Sequence, residues 1–281
     1  MKYPFLKMAV LLSCMSAIQV QAAPIFQLGM ENNMGFHGVA NKVGSTSSNL
    51  VAGDILYGII NANNIYTNTN SVIWNDNNTT PAYDTLTAYF AAKVVSVDTL
   101  IIPAGFGSFT GTYTSYTFGA LGSADSDPGN VLNASDKANQ TLVKFYTDTA
   151  NAYETNGTVT DDISKVTDGT LWASFGFANG GYWTASTAPI GSGTSGGVNF
   201  ISNNTGLNWG KVLDNTCGVM GGCLVDMAFE SSFSQTTSGA WSFSISDPAR
   251  MNPVPVPAAA WLLGSGLLGF GAMLRKRKVV S

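Results

Sequence analysis

The sequence predicts a mainly β protein. A β-sandwich or jelly-roll-like exported domain is preceded by an N-terminal signal helix and followed by a C-terminal transmembrane helix. Three observations carry this reading. Short aliphatic and aromatic runs alternate with stretches rich in Asn, Gly, Ser and Thr, the pattern of strands and turns. Hydrophobic residues make up 45% of the 281, but charged residues only 11%, less than half the usual share for a soluble domain. Both ends carry apolar runs bordered by basic residues. The chain divides into residues 1–22 (signal peptide), 23–250 (exported β-rich domain) and 251–281 (sorting segment).

At the start, Lys2 and Lys7 supply positive charge ahead of the apolar run from Met8 to Ile18. Val20-Gln21-Ala22 then places an aliphatic and a small residue at the −3 and −1 positions of a signal-peptidase cut, so cleavage is expected after about Ala22. Leu11-Leu12-Ser13-Cys14 resembles a lipobox, but Lys7 leaves only a short apolar run before it.

Within the exported part, Leu50 to Ile60 forms an aliphatic strand that ends in the turn-rich Asn61-Ala62-Asn63-Asn64. Leu86 to Val97 is a second strand, and residues 109–118 alternate around threonine as a third. Further strands are expected at Thr170–Phe177, Tyr182–Thr184, Leu224–Phe229 and Trp241–Ile245. One helix is expected from about Ser135, at its capping position, to Ala150, although Leu142-Val143-Lys144-Phe145-Tyr146 reads equally well as a strand. Met251-Asn252-Pro253 is the linker out of the domain.

The last segment, Val254 to Leu274, is uncharged and is followed by Arg275-Lys276-Arg277-Lys278. As a helix it covers roughly 30 Å, the thickness of a hydrocarbon core. The basic cluster then stays cytoplasmic and the rest of the chain lies outside. Ser265 and Gly269 give it a small-xxx-small face. Val254, Pro255, Pro257 and Ala258, the Trp261-to-Gly269 apolar run and the basic end Arg275, Lys276, Arg277 and Lys278 together resemble the VPxPA (VPLPA-CTERM) form of the PEP-CTERM sorting tail. Val256 stands where the commoner form has glutamate. The resemblance implies a Gram-negative bacterial protein, inserted in the inner membrane during sorting. It also implies a tail recognised by an exosortase-type enzyme, and a mature form at the cell surface among exopolysaccharide and biofilm matrix.

The chemistry-bearing residues are few. Cys217 and Cys223 bracket a glycine-rich five-residue loop and are expected to pair as a disulfide, contributing roughly 2 kcal/mol by loop closure. Gly193-Thr194-Ser195-Gly196-Gly197 matches the G-x-S-x-G pattern of serine hydrolases, with His37 as the single imidazole in the chain. Gly35-Phe36-His37-Gly38 lacks the setting of a trypsin-like base, and the stretch from Gly191 to Gly197 reads more simply as a loop. Asp125, Asp127 and Asn130, and separately Asp161-Asp162, are the oxygen donors that suggest Ca²⁺, without the spacing of an EF-hand loop. No other cofactor is implied. Trp74, Trp183 and Trp209 are candidate carbohydrate-stacking rings; burial in a β core is the competing reading.

Lys2, Lys7 and the four tail residues account for six of the 13 basic residues. Seven remain in the exported part against all 17 acids, a net charge of −10. Such a surface argues against a nucleic-acid partner. The expected function is a non-enzymatic surface or matrix protein associated with exopolysaccharide. The alternatives are a secreted carbohydrate-active hydrolase using acidic residues and a permanently anchored single-span protein.

Overall fold

The computed structural model describes residues 26, 30–76, 85–105, 110–148, 153, 155–188, 191–204, 225–235 and 239–251. The signal segment, the sorting tail, Cys217, Cys223 and Trp209 lie outside the described residues.

Eleven strands form one antiparallel sheet: β1 (Asn32–Val43), β2 (Ile55–Thr67), β3 (Val72–Asn75), β4 (Thr85–Ile102), β5 (Gly111–Gly119), β6 (Thr141–Asp148), β7 (Thr170–Gly176), β8 (Tyr182–Ala188), β9 (Gly191–Asn203), β10 (Met227–Gln235) and β11 (Phe243–Met251). The strand order is β3-β2-β1-β11-β10-β9-β7-β6-β4-β5-β8, and β2 also pairs with β4 while β9 also pairs with β8. The β2–β4 pairing closes the ladder into a ring of β2, β1, β11, β10, β9, β7, β6 and β4. A ring removes sheet edges along its course, which otherwise expose unpaired N–H and C=O groups.

β2 and the first half of β4, Thr85 to Val94, are largely buried on both faces, which is why they read as near-continuous apolar runs. Leu56, Ile60, Leu86, Ala88 and Phe90 point into the main core with Phe145, Trp172, Phe175 and Trp183. Ile55, Ile59, Tyr89 and Ala91 point the other way, into a smaller core with Leu121, Leu132, Ile163, Val166 and Trp241. Helix α2 (Val159–Thr167) covers that second face; Thr158 caps it by accepting from the Asp161 N–H.

The expected helix from Ser135 to Ala150 is replaced by two elements. Helix α1 (Ala134–Ala138) is closed at its start by an Asn133–Asp136 capping box, and β6 begins at Thr141. Gln140, at φ 58°, turns the chain between them. Leu142, Val143, Phe145 and Tyr146 are buried by pairing with β4 and β7 on either side, so the strand reading of this run prevails. The Asn61–Asn64 cluster is likewise no turn. β2 continues to Thr67, with a register shift that pairs Gly35 with Asn64 and Phe36 with Ala62 and leaves Asn63 as the extra residue of a bulge. The Gly191–Gly197 stretch, read as a loop, is the first half of β9, paired with β8 and β10.

Candidate functional site

The serine pattern is built into the sheet wall. Ser195 on β9 lies opposite Glu230 of β10 and Thr184 of β8, whereas His37 on β1 lies opposite Ser246 of β11. β10 and β11 stand between β9 and β1. At about 4.8 Å per strand, that separation is roughly 14 Å, beyond any nucleophile–base hydrogen bond. His37 instead sets its ring edge-on to Tyr153, with centroids 5.1 Å apart.

Trp74 and Trp183 are each 4% exposed and belong to the main core, so neither ring offers a face for a sugar to stack on. Trp183 stacks on Phe118 at 4.3 Å and meets Phe90 and Phe229 edge-on. Its ring borders an apolar cavity of about 60 Å³ with Phe36, Ile60, Phe145 and Phe233. Phe118 and Phe233 also line a larger cleft of about 270 Å³, whose rim carries Ser48, Asn49, Ser186 and Thr187.

The Asp125–Asn130 stretch does folding work. Asp127 is 8% exposed, and its carboxylate accepts from the N–H groups of Val131 at 2.6 Å and Leu132 at 2.7 Å, and from the Tyr89 hydroxyl. Burial, then the Asp127 carboxylate, push the Tyr89 hydroxyl pKa far above its ordinary value, so it stays a donor. Asp125 accepts from Lys93 at 2.7 Å and from the Gly122 N–H at 2.8 Å. The Lys93 ammonium holds its carboxyl below the ordinary range. Asn130, at φ 58°, donates its N–H to the Asp127 carbonyl. A cation here competes with these donors for the same oxygens.

Other buried carboxylates act in the same way. Asp54, 1% exposed, accepts from the Ser45 N–H (2.6 Å), the Ser45 hydroxyl (2.9 Å), the Val51 N–H (3.0 Å) and Lys42 (3.2 Å). Burial raises its pKa, but these donors outweigh burial and leave it below the ordinary value. Asp162, the other acid of the Asp161-Asp162 pair, accepts from the Trp241 indole N–H at 2.8 Å and the Gly157 N–H at 3.1 Å. Asp161 bonds the capping Thr158 hydroxyl. Asp226 accepts from the Phe200 N–H at 2.8 Å.

Sequence reasoning passed over a second polar cluster, because it joins three amides of β2 to a single acid, Asp76, just after β3. The Asn61 amide N–H₂ donates to Asp76 at 3.0 Å and to Asn63 at 3.3 Å. The Asn61, Asn64 and Asp76 Oδ1 atoms are buried without a hydrogen-bond donor. Among the described residues, no group of three or more His, Cys, Asp or Glu side chains is arranged to hold a metal, and no helix is long and apolar enough to cross a membrane. The chain matches no protein-family model, no curated protein and no solved structure.

Proposed function

We propose that the chain is an exported, non-enzymatic surface or matrix protein whose β-sandwich or jelly-roll-like domain is delivered by its C-terminal sorting tail. The observation that supports this reading is the order Val254-Pro255-Val256-Pro257-Ala258, apolar span, Arg275 to Lys278. It begins three residues after β11 ends at Met251. The proposed partners are an exosortase-type enzyme, the inner membrane during sorting, and exopolysaccharide at the destination. With Trp74 and Trp183 in the core, contact with polysaccharide runs through the exposed Asn, Thr and acidic side chains of the sheet and its loops. Ca²⁺ then bridges acidic surface to anionic matrix without an internal cage.

Localising the full chain with and without residues 254–281 tests this. The complete chain is expected at the surface or in the matrix with its tail removed; the deleted chain is expected in soluble secreted form. Mass spectrometry that finds the tail intact on surface-exposed protein supports the permanently anchored single-span protein instead.

A further inference from the structure

We propose that a second copy of this chain pairs antiparallel with the outer edge of β4, continuing the sheet from one protomer into the other. β4 is 18 residues long, and its first half is enclosed. β2 pairs with it through Lys93, and a last pair of bonds joins Gly53 N–H to the Val94 carbonyl and Val94 N–H to the Asp54 carbonyl, both at 2.8 Å. Beyond Val94 only β5 pairs with it, so among the described residues the other backbone edge of 95–102 faces no strand. This half of β4 lies outside the ring, as do β3, β5 and β8.

The side chains on that edge carry the same message. Val95 is 60% exposed, Leu100 59% and Ile101 73%, half of the six large hydrophobics that stand exposed among the described residues. The stretch Val95-Ser96-Val97-Asp98-Thr99-Leu100-Ile101-Ile102 holds no lysine, arginine or proline. Those residues are how monomeric proteins guard an edge against strand addition. Unpaired N–H and C=O groups in an extended row are matched by another β-strand.

Charge and register point to the chain's own copy. The exported part carries a net −10, so two copies repel over most of their surfaces; this edge brings one carboxylate in eight residues. A two-fold axis between antiparallel strands passes through a residue pair, since directly opposed side chains share a face. Centring on Asp98 opposes two carboxylates. Centring on Val97 brings Ile101 against Lys93, which β2 already covers. Centring on Thr99 sets Thr99 against Thr99, Asp98 against Leu100 and Val97 against Ile101, and keeps the ladder within the free edge. The ladder is short, so the dimer is weak and forms where the protein is concentrated, as on a surface.

The test is cross-linking of the full chain carrying Thr99→Cys, oxidised with copper phenanthroline and run without reductant. Full chain carrying Thr160→Cys, exposed on α2, reports random collision and exchange with the native cysteines. Directly opposed strand positions lie close enough for a disulfide, so Thr99→Cys is expected to give about fivefold more dimer than Thr160→Cys. Adding Leu100→Lys and Ile101→Lys is expected to return it to the control level. Equal cross-linking at the two positions overturns the proposal. So does an unmodified chain whose sedimentation is the same with and without the two lysines, the tryptophan emission of each variant confirming that it is folded.

Discussion

At the residue scale, buried acids hold the loops through donors supplied mostly by backbone. Asp127 is the clearest case, since one side chain fixes Val131, Leu132 and Tyr89. Asp127→Ala leaves those donors without an acceptor and is expected to cost about 3 kcal/mol, read from the urea midpoint. Asp54 adds a pH dependence. Its folded pKa lies below the ordinary value, so its contribution is complete above the unfolded-state value of about 3.9 and disappears as pH falls through the lower folded value. Wild-type stability is therefore expected to fall steeply below about pH 4. Asp54→Asn is expected to start lower at neutral pH and fall less, measured as urea midpoints across that range. None of these roles was legible in the sequence. An acid-and-glycine turn such as Asp125–Asn130 has the same composition whether its oxygens meet a cation or its own backbone N–H groups, and burial separates the two.

At the element scale, legibility followed burial. β2 and β4, apolar on both faces, announced themselves, as did the aromatic β7. β1 and β9 did not, because they are written in Asn, Gly, Ser and Thr and gain strand form from neighbours on both sides. In β1 the small residues have a packing reason: a Cβ at Gly38 would fall 2.4 Å from the Ile59 carbonyl oxygen. Helix α2 went unseen because its nine residues bury only Asp162, Ile163 and Val166. An isolated helix of that length is marginal in water, so its order depends on docking. The Asp162–Trp241 bond ties α2 to the residues leading into β11, and Ile163 and Val166 pack with Tyr89 and Ile59 beneath it. Trp241→Phe keeps an aromatic ring but removes the indole N–H, and is expected to cost about 2 kcal/mol. Hydrogen exchange should speed up in residues 159–167 ahead of the rest of the ring; uniform acceleration would mean that α2 is no separate unit.

At the scale of the whole molecule, the ring relates the ends of the domain to its proposed export. β1 pairs with β11 from Ala40–Phe243 down to Asn32–Met251, so the chain enters and leaves the ring at one end, side by side. The proposed leader cut near residue 22 precedes β1 and the proposed tail from residue 254 follows β11 in the chain, so neither removes a strand of the ring. β11 itself is indispensable, because it bonds β1 on one side and β10 on the other and places Ile245, Ala249 and Met251 in the main core. Deleting residues 254–281 is expected to leave the melting temperature within about 2 °C of the full chain, since no described contact is lost. Deleting from Phe243 opens the ring, exposes two strand edges and removes three core side chains, and is expected to abolish the cooperative melt and the near-ultraviolet dichroism of the buried tryptophans. A cooperative transition in that shorter chain would mean that the ladder is stable open, and that β11 serves the tail more than the domain.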